Sequence, residues 1–178
     1  MKRITGVVLL ALYLLLVFQK TQAGLAAELL WLSHVTSAVL AAGLIFDVSL
    51  MIAAGFLFHL AVALPAYLFY LSTGGETSLI SFLLHVVSPL FGAMACRGAA
   101  LPRRALLLTY AIYVVVIGCT LAFTPAAMNV NSTFRHWASL PVPASLPLLA
   151  VNAVQMLLQT AAAFLLWNRL ARRQPGLS

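Results

Sequence analysis

The sequence predicts an all-α integral membrane protein, a bundle of six transmembrane helices with both termini on the cytoplasmic side. Of its 178 residues, 63% are hydrophobic and only 7% are charged, whereas about 25% of the residues in soluble domains are charged. The apolar runs have the length that a helix needs to cross about 30 Å of hydrocarbon, and the alternating pattern of a membrane β-barrel is absent. We therefore expect residues 1–178 to form one transmembrane domain.

Six apolar runs define the expected spans, and short polar segments separate most of them. The second and third runs meet at Asp47, 72–76 joins the third to the fourth, and 98–104 joins the fourth to the fifth. Connections this short place consecutive helices side by side and antiparallel. The six runs cover residues 4–18, 29–46, 48–71, 79–96, 105–123 and 147–167.

The positive charges fix the expected orientation. With the N-terminus inside, only Lys20 and Arg135 fall outside, because the other basic residues lie at cytoplasmic span ends. Such an excess is the positive-inside pattern of cell (inner or plasma) membrane proteins. The net charge of +7 then reflects contact with the lipid bilayer, and nucleic acid is not an expected partner. The inside set is Lys2, Arg3, Arg97, Arg103, Arg104, Arg169, Arg172 and Arg173.

The first run has a second interpretation. Two basic residues, a short apolar stretch and then Thr21-Gln22-Ala23 resemble a signal peptide with its small-residue cleavage site. Lys20 and Gln22 are unusual just before such a site, so we expect the run to remain as a span. Cleavage would not change the orientation of the other five helices.

The connection between the fifth and sixth spans is longer than the others. Residues 124–146 carry three prolines and the aromatic residues Phe134, His136 and Trp137. Long connections in compact proteins are often lids or binding loops. We expect this outer segment to lie on the bilayer surface, either as a cap over the bundle or as a simple interfacial anchor. Asn131-Ser132-Thr133 also fits the pattern of a glycosylation acceptor.

Polar side chains within the spans predict a pocket that opens to the outer leaflet. Such groups are costly in hydrocarbon and normally face the bundle interior. Counted along the helices, His34, His85 and Asn152 each lie about 8 to 9 Å below the outer end of their span, whereas His59 and Gln159 lie near the midplane. The cytoplasmic halves of the second, fourth and sixth spans hold no strongly polar side chain, which disfavours a channel or pump. The predicted ligand-binding residues are His34, His59, Asn152, Gln155 and Gln159.

Two interpretations of these groups follow from the residues alone. Buried His, Asn and Gln in membrane bundles often only join helices by hydrogen bonds, each worth about 0.6 to 2 kcal/mol. Alternatively, the site is an intramembrane enzyme in which His85 is the general base and Ser33 or Thr36 the nucleophile, because hydroxyl and imidazole lie at similar depth on different helices.

A local resemblance bears on the second interpretation. Leu83-Leu84-His85-Val86-Val87-Ser88-Pro89-Leu90 resembles the His-containing helix of the androgen-induced and androgen-dependent multi-pass membrane hydrolases and their bacterial relatives. That family is understood to cleave fatty acid esters of hydroxy fatty acids with a Thr and a His. The resemblance implies that His85 is the catalytic His and that Ser33 or Thr36 takes the place of the Thr. Trp31-Leu32-Ser33-His34 and Asn129-Val130-Asn131 are similar to segments of small bacterial multi-pass proteins with no assigned function.

A cofactor is a third possibility, since His34 and His85 at equal depth on two helices could ligate a haem iron from both sides. The residues identify no other metal site, and the cofactor stays unknown. The interpretation that we carry forward is a multi-pass membrane protein of undetermined activity whose His-containing pocket binds a lipid or small amphipathic ligand. The hydrolase and the bis-histidine haem protein are its alternatives.

Overall fold

A computed structural model describes residues 1–75, 77–128, 130 and 148–173. Within these ranges all regular structure is helical, which confirms the predicted all-α class. Short 3₁₀ helices occupy Ala26–Leu30 and Ala126–Met128, and a π-helical segment occupies His59–Ala63. The α-helices are α1 Lys2–Gln22, α2 Leu32–Phe46, α3 Ser49–Phe58, α4 Leu64–Ser72, α5 Leu79–Ala95, α6 Arg103–Phe123 and α7 Leu148–Arg172.

The third apolar run forms the centre of the bundle. α3, the π segment and α4 follow one another without a break, and α3 contacts α2, α5, α6 and α7. In the most apolar window of Ser49–Ser72, 61% of the residues are buried, against 17% in α1 and in α7. A helix that is apolar on all sides packs best where neighbours surround it, which accounts for its central position.

The π segment interrupts this central helix at His59. It ends just before Leu64 and Pro65, and a proline within a helix cannot donate to the carbonyl one turn earlier. A π turn adds one residue to the helical turn and is frequent at functional sites. The irregular turn therefore begins at His59 itself and ends two residues before Pro65.

The ends of several helices meet at one end of the bundle, which we call the basic end. There Lys2 of α1 forms an ion pair of 2.8 Å with Asp47, between α2 and α3. A small cavity there is lined by Lys2, Cys96 and Leu101, which brings the end of α5 and the start of α6 to the same place. Asp47 adopts a left-handed backbone conformation (φ 54°) that ends α2. The nearby ammonium of Lys2 lowers the pKa of the Asp47 carboxyl.

Four helices are long and apolar enough to cross a membrane: Lys2–Gln22, Ser49–Ser72, Arg103–Phe123 and Leu149–Arg172. α2 and α5 are apolar but shorter, with 15 and 17 residues. A 15-residue helix rises about 22 Å, less than the hydrocarbon thickness of about 30 Å. The number of six spans and their orientation stay predictions.

Close helix contacts in the core depend on glycine. A Cβ added to Gly55 of α3 would lie 2.8 Å from Cβ of Leu40 in α2, and one added to Gly92 of α5 would lie 2.7 Å from Cβ of Phe56. Real Cβ atoms do not approach this closely, so α2 and α5 reach α3 because these positions lack a side chain. A Cβ at Gly118 of α6 would meet nothing within 4 Å.

The outer segment, predicted to be a cap or an interfacial anchor and including the acceptor Asn131, falls mainly on residues 129 and 131–147, which lie outside the described residues.

Candidate histidine site

His34 and His85 form a pair between α2 and α5. Their ring centroids lie 6.1 Å apart and the rings meet edge to face at 68°. The exposed fraction is 4% for His34 and 7% for His85, so both rings are nearly enclosed. The sequence placed these two histidines at one depth, and the structure brings them into contact.

Backbone carbonyls hold both rings in place. Nδ1 of His34 lies 2.9 Å from the carbonyl oxygen of Glu28, and Nδ1 of His85 lies 2.8 Å from that of Ser81. A carbonyl only accepts, so Nδ1 carries the proton in each neutral ring and Nε2 has a free lone pair. Among the residues that the structure describes, neither Nε2 has a hydrogen-bond partner. Within this part of the chain, the pair therefore presents two ring nitrogens as free acceptors.

Tyr67 of α4 completes one wall of this site. Its ring stacks on His85 with centroids 3.9 Å apart and planes 7° from parallel. Its hydroxyl lies within hydrogen-bond distance of the Thr77 hydroxyl, which joins α4 to the segment before α5. Tyr67 was not among the predicted site residues, because an aromatic residue in an apolar run is normally a packing residue. Its separation from His85 in sequence gives no signal of the stack.

His59 belongs to a different cluster. Its Nδ1 donates to the Gly55 carbonyl at 2.8 Å, and its Nε2 lies 3.0 Å from Oγ of Ser37. Oγ of Ser37 is 3.1 Å from Oγ of Ser88 and 2.8 Å from the Ser33 carbonyl oxygen, so its single hydrogen is shared between that carbonyl and Nε2 of His59. These side chains join α2, the central helix and α5 at one point.

This second cluster is closed. His59 and Ser88 are 0% exposed and Ser37 is 1% exposed. Nδ1 of His59 donates to the Gly55 carbonyl, and Nε2 lies within hydrogen-bond distance of the Ser37 hydroxyl, whose hydrogen it shares with the Ser33 carbonyl. Buried polar groups that are all paired stabilise one arrangement of the helices. The cluster therefore matches the structural interpretation of membrane polar groups, in which they join helices.

The two predicted nucleophiles differ in environment. Thr36 is 0% exposed and its hydroxyl donates to the Leu32 carbonyl at 2.7 Å. Ser33 is half-buried, next to His34 in sequence. The hydroxyl that contacts an imidazole is that of Ser37, with His59. The pairing of His85 with Ser33 or Thr36 stays a prediction.

The three amides predicted to line the pocket lie on α7. Gln155 is exposed, and Asn152 and Gln159 are half-buried. α7 contacts α3, the π segment and α6, whereas the histidine pair lies between α2 and α5. The described contacts therefore do not bring Gln155 to the histidine pair, and the ligand-binding role of these amides stays a prediction.

Polar groups of α1 border the histidine pair. Lys20 forms an ion pair with the carboxylate of Glu28, the residue whose carbonyl oxygen holds His34. Oε1 of Gln19, one residue before Lys20, is buried and has no hydrogen-bond partner in the described part of the chain. An unsatisfied buried acceptor is rare and calls for an explanation such as a ligand or ion.

The available ligating side chains give little support to a haem or metal between His34 and His85. In the described part of the chain no group of three or more His, Cys, Asp or Glu side chains converges. α2 and α5 contact each other directly, and His85 is stacked on Tyr67, so a macrocycle would have to separate the two helices. The bis-histidine haem hypothesis stays a prediction that this arrangement does not favour.

The fold and the site together define a class: an all-helical protein, with four helices long and apolar enough to cross a membrane, that encloses two distinct histidine clusters. The chain matches no protein-family model, and comparisons with curated proteins and with solved structures give no match.

Proposed function

We propose that this chain is a six-span membrane protein that binds a hydroxyl-bearing amphiphile, such as a lipid with free hydroxyl groups, on Nε2 of His34 and His85. The observation that carries the proposal is that both Nδ1 atoms are held by carbonyls while both Nε2 atoms lack partners in the described residues. A ligand that donates hydrogen bonds satisfies these lone pairs. The face of Tyr67 and the apolar helices supply contact area for a hydrocarbon chain.

The orientation belongs to the same proposal. The basic end faces the cytoplasm by the positive-inside rule, which places the histidine pair toward the outer leaflet. The test is cysteine labelling in a variant without Cys96 and Cys119, with single cysteines at the exposed positions Thr73 and Ala100. An impermeant maleimide should label Thr73→Cys from outside and Ala100→Cys only after the membrane is opened. The reverse pattern would contradict the orientation.

Ligand binding is tested by native mass spectrometry of the full chain, extracted in a mild detergent and titrated with 1-oleoylglycerol, an uncharged amphiphile with two hydroxyls. We expect one bound molecule per chain. His34→Phe/His85→Phe keeps ring size but removes both acceptors, and it should lose this binding. Loss of two hydrogen bonds of about 1 kcal/mol each corresponds to roughly a thirty-fold weaker affinity.

The matched control is oleic acid methyl ester, which has no hydroxyl donor and should not bind. A second control is Ser88→Ala, which alters the closed cluster only and should leave binding unchanged. Equal retention of 1-oleoylglycerol by the wild type and by the histidine variant would overturn the ligand site.

A second candidate function is ester hydrolysis, and one contact favours it: the 3.0 Å approach of Ser37 Oγ to His59 Nε2, with His59 oriented by the Gly55 carbonyl. In such a reaction Ser37 Oγ attacks the ester carbonyl carbon, its proton passes to His59 Nε2, and the alcohol leaves with that proton. Water then releases the acid from the acyl-serine. Because Ser37 is 1% exposed, the helices would have to part to admit the ester.

A fluorophosphonate probe tests this candidate. Labelling that is lost in Ser37→Ala and kept in Ser33→Ala would support a Ser37–His59 pair. Labelling lost in Ser33→Ala would instead favour the pairing of Ser33 with His85. A chain that never reacts with the probe would contradict hydrolysis through a serine.

A further inference from the structure

A second cavity lies at the basic end, next to the small cavity beside Lys2, with which it shares Leu101. It has a volume of about 720 Å³, within the range typical of ligand sites. Its wall combines Arg103 at the start of α6, three arginines at the end of α7, and the apolar side chains of Phe164 and Leu165. The three arginines of α7 are Arg169, Arg172 and Arg173.

These arginines have no carboxylate partner in the described part of the chain. The two acidic residues that the structure describes, Asp47 and Glu28, each form an ion pair with a lysine. The four arginines are exposed side chains on one cavity, and such a cluster of like charges attracts an anion. Guanidinium groups are also suited to phosphate, because they can donate two parallel hydrogen bonds to it.

Hydrogen bonds between α7 and the loop before α6 hold the lining of the cavity in place. Asn168 is 7% exposed, and its side chain accepts from the Leu101 N–H at 2.6 Å and donates to the Leu101 carbonyl at 3.1 Å. Nε1 of Trp167 donates to the Ala99 carbonyl at 3.0 Å. These three bonds fix the loop before α6 against α7, so that Arg103 is held opposite the arginines of α7.

From this arrangement we infer that the cavity binds a phosphate group, carried by an anionic phospholipid whose acyl chain lies along Leu165. Leu165 is 66% exposed, and the neighbouring Leu166 is 60% exposed, so an apolar surface continues from the cavity along α7. A phospholipid can place its headgroup phosphate on the arginines and its acyl chain on the leucines. It then contacts both the charged and the apolar part of the wall. Free phosphate offers the same chemistry without the hydrocarbon contact.

The test is native mass spectrometry of the full chain titrated with dioleoylphosphatidylglycerol, with dioleoylphosphatidylcholine as the zwitterionic comparison. We expect one phosphatidylglycerol per chain to be retained in preference to phosphatidylcholine. Arg169→Gln/Arg172→Gln should weaken this binding about thirty-fold, since each arginine near an anionic headgroup lowers the dissociation constant about five-fold.

The matched control is Arg97→Gln/Arg104→Gln, which removes two exposed arginines that do not line the cavity. It should change phosphatidylglycerol binding by less than about two-fold. An equal loss in both double variants would show a general charge effect and overturn the site, as would no loss in either. Should Arg169→Gln/Arg172→Gln fail to fold, Arg103→Gln/Arg173→Gln tests the same cavity with the same expectation.

Inorganic phosphate distinguishes the two sources of the phosphate group. Excess phosphate should not displace phosphatidylglycerol if the leucine surface contributes, which supports the lipid. Displacement by phosphate at the concentration of the lipid would keep the phosphate site but assign it to a soluble ligand. Neither result depends on His34 or His85, so this inference and the proposed function can fail separately.

Discussion

The two histidine clusters differ in how completely their hydrogen bonds are satisfied. Around His59, both ring nitrogens have partners, and the ring is 0% exposed. In the pair of His34 and His85, only Nδ1 of each ring has a partner within the described residues. We therefore expect the same residue type to serve two purposes: the saturated histidine holds helices together, and the unsaturated pair is the proposed ligand site.

The largest expected effect is on stability at the saturated cluster. His59→Ala removes a fully buried ring and leaves Ser37 without its imidazole partner. Cavity formation and the broken contacts should lower the free energy of unfolding by about 2 to 4 kcal/mol. SDS titration in mixed micelles measures this loss in the free energy of unfolding. If His59→Ala were as stable as the wild type, the cluster would not join the helices.

The second-largest expected effect on stability tests the close approach of α2 to α3, which permits the Ser37–His59 contact. Gly55→Ala forces Cβ against Leu40, three residues after Ser37 in α2, and should cost about 1 to 3 kcal/mol by overpacking. Gly118→Ala has open space around the added methyl and should be neutral or slightly stabilising. The same SDS titration compares them. Equal stability of the two variants would mean that α2 and α3 are not held as closely as described.

A substitution in the pair of His34 and His85 should lower the free energy of unfolding less than His59→Ala does. His85→Phe keeps a ring against Tyr67 and loses the bond to the Ser81 carbonyl, so we expect a loss of about 0.6 to 1 kcal/mol in the absence of ligand. Added 1-oleoylglycerol should stabilise the wild type more than this variant, because only the acceptor of His34 remains in the variant. A loss as large as that in His59→Ala would erase the distinction between the clusters.

The smallest expected effect on stability comes from the Lys2–Asp47 ion pair at the basic end. Because Lys2 lowers the pKa of Asp47 from its ordinary value of 3.8, the ionised carboxylate favours the folded state. Its contribution is present above pH 3.8 and is lost as the pH falls through the lower, folded pKa. Asp47→Asn tolerates the same left-handed backbone and should remove this pH dependence. Thermal unfolding of both proteins at neutral and acid pH measures the difference, and equal slopes would contradict the pair.

The sequence predicts the helical class and the approximate helix bounds because apolar length is a local property. It also predicts that His34 and His85 lie at one depth, since rise along a helix fixes depth. It does not predict that Ser37 rather than Thr36 meets an imidazole, because that depends on the rotation of α2 against the central helix. Gln155 shows the same limit: it was predicted to bind ligand together with Asn152, but only packing determines that α7 leaves its side chain exposed.

The arginine cavity shows a further limit of sequence reasoning. Positive charge at span ends explains orientation, so Arg103 and Arg169 gave no separate signal of a site. Asn168 lies just beyond the predicted sixth span, and its double hydrogen bond to Leu101 appears only when the 98–102 loop is folded against α7.

The most direct test of the central claim is NMR of the full chain in micelles with ¹⁵N-labelled histidine, before and after addition of 1-oleoylglycerol. Without ligand, His34 and His85 should show a protonated Nδ1 and a bare Nε2. On addition, the Nε2 resonances of these two residues should shift while that of His59 stays fixed. A shift at His59, or no shift at either member of the pair, would contradict the division between a structural histidine and a ligand-binding pair.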